Sequence, residues 1–208
     1  MTNEKFELLA DQSITVFGIT LFRIRARIAF GNVGKDELGG FVEKESNVDT
    51  SGNAWVYGNA RVYGNAQVSG NARVYGNAWV YGDARVCGNA QVSGDAWVSG
   101  NAQVYGNALV SGNAWVSGDA RVYGNARVYG NASLVWFSRV GSEHGTLTAF
   151  RATAGITVTR GCFIGSLDTF AAAVDEKHGD SQIGAEYRLL IQFIRLRLGD
   201  AAEKSEAA

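Results

Sequence analysis

Cysteine and histidine are the side chains best suited to nucleophilic or acid–base chemistry in this 208-residue chain, and it has two of each. Cys162 and His178 could pair as nucleophile and base, because Cys162 precedes an expected helix start, where a thiolate is favoured. No third residue that would orient the histidine is identifiable, so we interpret Cys162 as a small buried cysteine and His178 as a residue near a helix end. Cys87 and Cys162 are too far apart in sequence for a local metal site and indicate no disulfide framework. We therefore expect no catalytic residue, no metal and no cofactor.

Two places combine arginine with aromatic residues, as recognition of a nucleotide requires, since phosphate needs forked donors and a base needs a π-face. In the first, an irregular loop is expected to run into a helix at Ser166, whose free amide groups would receive an anion. The second lies on the faces of a repeat. We favour the first, because irregular loops form pockets more readily than flat faces, although TRGCFIG also fits a tight structural turn with solvated arginines. The first place comprises Arg160, Gly161, Cys162, Phe163 and His178, and the second Arg85, Arg121, Tyr105 and Tyr123.

The second place depends on a six-residue repeat. Glycine recurs at every sixth position from Gly52 to Gly130, followed by Asn or Asp, then Ala, a free residue and an aliphatic residue, nearly always Val. In a strand, Ala and Val point to one side and the free residue to the other. The Gly-Asn/Asp pair supplies residues that tolerate unusual backbone angles at a turn. This pattern predicts a parallel β-helix of about five 18-residue coils, with SNVDTS (46–51) as a degenerate unit in the same register.

Residues 18 apart should then stack at strand spacing, roughly 4.8 Å. In the resulting columns, three tryptophans occupy consecutive rungs and no two arginines are direct neighbours. Stacked like charges are unfavourable at this distance, so the columns support an 18-residue coil independently. The free-residue columns are Arg61, Trp79, Trp97, Trp115, Ser133; Gln67, Arg85, Gln103, Arg121; and Trp55, Arg73, Gln91, Leu109, Arg127.

Trp79, Trp97 and Trp115 are called the tryptophan column below. Their stacking would stabilise the coil, but three adjacent exposed indoles also form an apolar patch that a monomer seldom leaves bare. We predict that this column is a subunit interface. Docking of the chain's own C-terminal helices and binding of a ligand or carbohydrate are the alternatives.

The composition and phase of the repeat resemble the hexapeptide-repeat family of left-handed β-helices, a fold whose members commonly form trimers. FRIRARIAFGNV and LGGFVEKESNV before the repeat, with RGCFIGSLDTF, EKHGD and EYRLLI after it, resemble phage and prophage members without assigned chemistry. Acyltransferases of this class use a histidine base, whereas this array contains no His, Lys or Glu. The three-histidine zinc site of the γ-carbonic anhydrases would need more histidines than the chain has.

The segments before and after the repeat predict further strands and helices. Alternation through Leu21, Arg23 and Arg25 indicates strands in a cap that covers the open coil edge. SLVWFSRV, TLTAFRA and GITVTRG indicate three strands, and helices are predicted from Ser166 to near Gly179 and over about 183–198. The second helix also carries Leu189, Phe193 and Leu196 away from its main apolar face, which indicates deep burial or contact with a second subunit. The expected mainly β organisation is a β-rich cap (1–45), a left-handed parallel β-helix (46–135), a βββαα domain (136–198) and a frayed tail (199–208).

The net charge of −1 shows no basic excess, which disfavours duplex DNA binding, and no segment indicates a signal peptide or membrane span. We expect a cytoplasmic, non-enzymatic, phage-type binding or scaffold protein. It would form a homotrimer and capture a host defence protein or a signalling nucleotide. One alternative is an acyltransferase-like enzyme with an inter-subunit site and His144 or His178 as base. The other is a purely structural, self-assembling solenoid.

Overall fold

A computed structural model describes residues 3–130, 134–152 and 155–199. Its solenoid is built from short strands that pair in parallel with the strand one coil later. The strands are β4 (Trp55–Val56), β5 (Arg61–Val62), β6 (Gln67–Val68), β7 (Arg73–Val74), β8 (Trp79–Val80), β9 (Arg85–Val86), β10 (Gln91–Val92), β11 (Trp97–Val98), β12 (Gln103–Val104), β13 (Leu109–Ser111), β14 (Trp115–Val116), β15 (Arg121–Val122) and β16 (Arg127–Tyr129). They form three faces, with the strand orders β5-β8-β11-β14, β6-β9-β12-β15 and β4-β7-β10-β13-β16.

The predicted columns are confirmed by the strand register. Trp79 pairs with Trp97 and Trp97 with Trp115, while Gln103 lies between Arg85 and Arg121. The Ala and Val positions of the repeat form the core and are almost completely buried from Ala54 to Val128. The parallel solenoid of about five coils is therefore as expected.

Asparagine has a different role in the repeat from the predicted one. The array glycines take the left-handed backbone, with φ between +60° and +75°, whereas the Asn and Asp residues that follow them, from Asn53 to Asn125, do not. At one corner the asparagine side chains form a ladder instead, each amide donating to the next rung at 3.0 to 3.1 Å. Gly94 shows why the turn needs glycine, because a Cβ there would lie 2.9 Å from the Gly112 amide nitrogen. The ladder runs through Asn53, Asn71, Asn89, Asn107 and Asn125.

The N-terminal segment extends one face of the solenoid. β2 (Ile19–Ala26) pairs antiparallel with both β1 (Phe6–Val16) and β3 (Leu38–Val42), and β3 then pairs in parallel with β5. Phe6 and Phe30 pack edge-on against the indole of Trp55 at 5.9 and 5.3 Å. Trp55 shares its outward column with Arg73 but is fully buried, because the N-terminal segment covers this rung.

The entry into the first coil is out of register with the array. After a 3-10 turn (Glu45–Asn47), Val48 bridges to Val68, 20 residues later, whereas Val56 pairs with Val74, 18 residues later. Two extra residues therefore lie between Val48 and Val56. The Asp49 carboxylate accepts hydrogen bonds from the Ser51 amide and hydroxyl, which forms a tight turn in this stretch. The predicted same-register unit at 46–51 is thus wrong by two residues.

The C-terminal domain consists of a four-stranded antiparallel sheet and two helices. The predicted three strands omit the last, which is a short hairpin partner of the third. The helix starting at Ser166 and the one over 183–198 agree with the structure within one residue. The elements are β17 (Leu134–Val140), β18 (Gly145–Ala152), β19 (Gly155–Arg160), β20 (Phe163–Ser166), α1 (Leu167–His178) and α2 (Gln182–Leu198).

This domain covers the last coil. Phe150 from β18 and Leu134 from β17 join the core of the solenoid. The Arg121 amide donates to the Thr148 hydroxyl at 3.2 Å, and the Tyr123 hydroxyl to the Phe163 carbonyl at 3.4 Å. Both helices lie on the sheet, where Tyr187, Ile191 and other residues form a second core.

Candidate functional site

The tryptophan column is covered at one end and open at the other. The Arg61 guanidinium lies 4.7 Å from the ring centre of Trp79, and Phe17, at the tip of the β1–β2 hairpin, packs 6.0 Å from the same ring. Trp79 stacks on Trp97 at 5.3 Å, and Trp97 meets Trp115 edge-on at 6.2 Å. Trp79 and Trp97 are half-buried, whereas Trp115 is 56% exposed. The apolar patch is therefore centred on Trp115 rather than spread evenly over three indoles.

Tyrosines widen this aromatic surface. Tyr63 and Tyr81 stack in parallel at 5.1 Å, and Tyr81 packs edge-on against Trp97 at 6.1 Å. Burial raises the pKa of Tyr63 above its usual value, so its phenol stays neutral at physiological pH. The neighbouring Ser99 is buried beside the column. The surface is thus mainly aromatic, with Arg61 at its covered end and the exposed Asp95 two residues before Trp97.

The five residues of the first predicted ligand place line one cleft. It measures about 230 Å³ and is also lined by Glu143, Phe170, Lys177 and Tyr187. The segment is not an irregular loop that runs into a helix, because Arg160 pairs directly with Phe163 across a two-residue turn. Strand β20 then separates Cys162 from the helix start, and the Ser166 hydroxyl caps that helix by accepting from the Thr169 amide at 3.1 Å. The expected anion site of helix amides beside Arg160 is therefore wrong.

The guanidinium of Arg160 is held by the protein. It donates to the Tyr187 hydroxyl at 3.0 Å and to the Val140 carbonyl at 2.9 Å, and Glu143 lies 3.8 Å away. Its side chain is 11% exposed. Gly145 makes room for it, since a Cβ there would lie 2.4 Å from Arg160. Arg160 therefore ties three elements together and has little capacity left for a phosphate.

The two predicted ligand places turn out to be neighbours. A groove of about 450 Å³ lies between the solenoid and the C-terminal sheet. Arg121 borders it from the solenoid, and Arg160 and Gly161 border it from the β19–β20 turn. Its remaining lining residues are Asn101, Gln103, Asp119, Gly145 and Thr146. Topology alone creates this proximity, which no spacing in the sequence indicates.

The other predicted residues lie apart from the groove. Cys162 is exposed in the β19–β20 turn, so its interpretation as a buried cysteine is wrong. Tyr105 stacks on Tyr123 at 4.8 Å, and burial raises the pKa of both phenols. Arg85 is exposed on the same face but does not line the groove. His144 lies in the exposed β17–β18 turn, and the ring of His178 packs 5.7 Å from Tyr187.

The described residues place further limits on the chemistry. Over 3–130, 134–152 and 155–199, His, Cys, Asp and Glu side chains form no group of three or more that could hold a metal ion. In the same ranges, neither helix combines the length and the apolar character needed to cross a bilayer.

The repeat is similar to a known family. Residues 54–67, 66–82, 84–100, 102–118 and 120–134 match the YdcK β-solenoid repeat. These segments make up less than half of the chain. No curated protein sequence matches the chain. Together with the fold, the match shows a β-solenoid repeat protein with non-repeating segments on both sides.

Proposed function

We propose that this chain is a non-enzymatic binding and scaffolding protein that forms a homotrimer through the tryptophan column. The observation that carries the proposal is Trp115, an indole 56% exposed at the open end of a ladder of aromatic rings. A large aromatic side chain in contact with further aromatic surface is the typical anchor of a protein interface. The aromatic surroundings of the column favour contact with another apolar surface.

The direction of the column supports a three-fold arrangement. Trp79, Trp97 and Trp115 follow one another along the coil axis, because they occupy the same position in consecutive parallel strands. Three solenoids with parallel axes can therefore bring their columns together along a common three-fold axis. Such a ring is closed, so each copy buries its own column and no open patch remains to drive further growth at this surface.

The experiment introduces a charge into the column. Trp115→Glu and Trp97→Glu place a carboxylate in the contact, and we expect each to weaken trimer association by at least about 30-fold, the effect of losing about 2 kcal/mol. Gln67→Glu is the matched control, because Gln67 is an exposed free residue on another face. Elution volume and scattering mass of the folded variants report the outcome. An unchanged trimer in both tryptophan variants would overturn the proposal, as would a monomeric wild type.

A second candidate function is capture of a small anionic ligand, such as a signalling nucleotide made by the host of a phage. The groove of about 450 Å³ supports it, since this volume falls in the usual range of ligand sites. Arg121 borders the groove with an exposed side chain that enters no ion pair within the described residues. Its guanidinium can therefore form forked hydrogen bonds with a phosphate.

The ligand hypothesis is tested by binding of cyclic and ADP-ribose nucleotides to the purified protein, measured by calorimetry. We expect Arg121→Ala to abolish binding of the retained nucleotide and Arg85→Ala to leave it unchanged, because Arg85 lies outside the groove. Equal losses in the two variants would indicate attraction to the whole face and would contradict a site in the groove. Binding of none of these nucleotides would also overturn this second function.

A further inference from the structure

The outer face of α2 carries large apolar side chains that stay exposed, although Phe193 also packs edge-on against Phe137 of β17 at 5.7 Å. Leu189, Phe193 and Leu196 are 67%, 48% and 85% exposed, although α2 already buries Tyr187, Ile191, Ile194 and Leu198 in the domain core. The three residues are spaced four and three apart, so they form one stripe along the helix. A stripe of this kind on a helix whose other side is buried is typical of a helix–helix contact.

We propose that the α2 stripe, defined as Ala185, Leu189, Gln192, Phe193 and Leu196, binds the α2 stripe of a second copy of this chain in an antiparallel pair. Ala185, Leu189, Gln192 and Leu196 are spaced four, three and four apart, which is the seam spacing of a two-helix coiled coil. In an antiparallel register that places Leu189 opposite Gln192, Leu196 falls opposite the small Ala185 of the other copy. Large and small side chains therefore alternate along the seam.

The charges beside the stripe favour the antiparallel direction. At 100° per residue, Glu186 and Arg197 lie on the same flank of the stripe, near its opposite ends. An antiparallel two-fold pair brings equal flanks together, so Glu186 of each copy lies near Arg197 of the other. Both side chains are available: the Glu186 carboxylate accepts one bond, from the Gly141 amide at 3.2 Å, and Arg197 is exposed. The pair thus gains two ion pairs by symmetry.

The other flank would be repulsive if its arginines were free. Arg188 and Arg195 both lie there, and two such flanks meet in the antiparallel pair. Each arginine already has an acid within its own chain, since Arg188 contacts Asp175 at 3.1 Å and Arg195 contacts Asp168 at 3.0 Å. A parallel pair would instead place Arg197 beside Arg195 of the other copy and align the two helix dipoles unfavourably.

The α2 pair and the tryptophan column are independent surfaces on different parts of the chain. If both operate, three α2 helices of one trimer bind those of another, and the wild-type protein has six copies. Three α2 pairs that link the same two trimers hold them together more strongly than one pair would, because each pair raises the effective concentration of the others. The inference therefore goes beyond the proposed function while its test remains separate.

The experiment measures the scattering mass of the full chain for the wild type and for Leu196→Glu, with Ile164→Glu as control. Ile164 is 50% exposed in the same domain but lies outside the stripe. We expect Leu196→Glu to halve the copy number, from six to three, and Ile164→Glu to leave it at six. If the tryptophan column forms no trimer but α2 pairs, the masses fall from two copies to one. Equal masses for wild type and Leu196→Glu would overturn the α2 pair in either case.

A charge exchange tests the direction of the pair. Glu186→Arg and Arg197→Glu should each reduce the larger assembly, because each places like charges together across the interface. The double variant restores opposite charges and should recover the mass of the wild type. Loss of the Gly141 hydrogen bond in Glu186→Arg would not be repaired by a change at Arg197, so recovery is specific to the contact between copies. Failure of the double variant to recover would contradict the antiparallel register.

Discussion

The solenoid and the C-terminal domain are stabilised in opposite ways. In the solenoid each contact recurs one coil later, as in the asparagine ladder and in the glycine corners that stack on one another. In the C-terminal domain the contacts are single, and Arg160 bonded to Tyr187 and Val140 has no counterpart elsewhere in the described residues. The repeated region therefore leaves its free residue open to carry a surface such as the tryptophan column. In the other region most polar side chains in the interior are committed to the fold.

The largest expected effect is the difference in stability between two alanine variants, one at a glycine of each region. Gly94 and Gly161 have similar positive φ values, +67° and +58°, but a Cβ on Gly94 would meet the Gly112 amide at 2.9 Å whereas one on Gly161 meets nothing within 4 Å. Alanine at either position costs about 1 kcal/mol for the left-handed backbone. The clash raises the expected loss for Gly94→Ala to about 3 kcal/mol in the free energy of unfolding, measured in urea. Equal losses would contradict the tight stacking of the solenoid corners.

Arginine substitutions in the two regions should also differ in their effect on stability. Arg160→Met removes donors to Tyr187 and leaves the Val140 carbonyl without its partner, so we expect a loss of about 2 kcal/mol. Arg121→Met on the solenoid face removes an exposed side chain without an ion pair in the described residues, so the change should stay within about 0.5 kcal/mol. Thermal unfolding of the two variants provides the measurement. A larger loss for Arg121→Met would reverse the contrast between the regions.

A smaller effect concerns the first coil beside β4, which is the edge strand of its sheet. The Lys5 ammonium donates to the Asp49 and Ala54 carbonyls at 2.8 Å, and burial lowers the pKa of Lys5 from 10.5 to about 8. Between these values the unfolded chain binds more protons than the folded one, so the free energy of unfolding rises with pH. We expect a rise of about 1.5 kcal/mol from pH 8 to pH 9.5 in the wild type.

Lys5→Met is the control for this pH dependence. The variant lacks the ammonium group, so its free energy of unfolding should change less with pH over the same window. The upper limit of pH 9.5 avoids the tyrosines, whose buried phenols have a raised pKa and whose ionisation destabilises the folded chain at higher pH. An equal slope in wild type and Lys5→Met would assign the effect to other groups.

The two regions also differ in how far the sequence predicts them. Periodicity alone gives the solenoid, its columns and the pairing of Trp97 with Trp79 and Trp115, because identical units constrain one another. It does not predict that the N-terminal segment buries Trp55, and it fails at Val48, where a local turn decides the register. In the C-terminal domain the helices are predictable from their caps and apolar stripes. The short strand β20 and the engagement of Arg160 are not, since both depend on contacts between distant segments.

The most direct test of the central claim is the solution mass of Leu196→Glu, a variant in which the α2 stripe is disabled and the tryptophan column is intact. Light scattering at micromolar concentration isolates self-association through the solenoid. The expected result is three copies of the 22.2 kDa chain, reduced to one by the further substitution Trp115→Glu. A mass of 22.2 kDa for Leu196→Glu itself would contradict assembly through the tryptophan column.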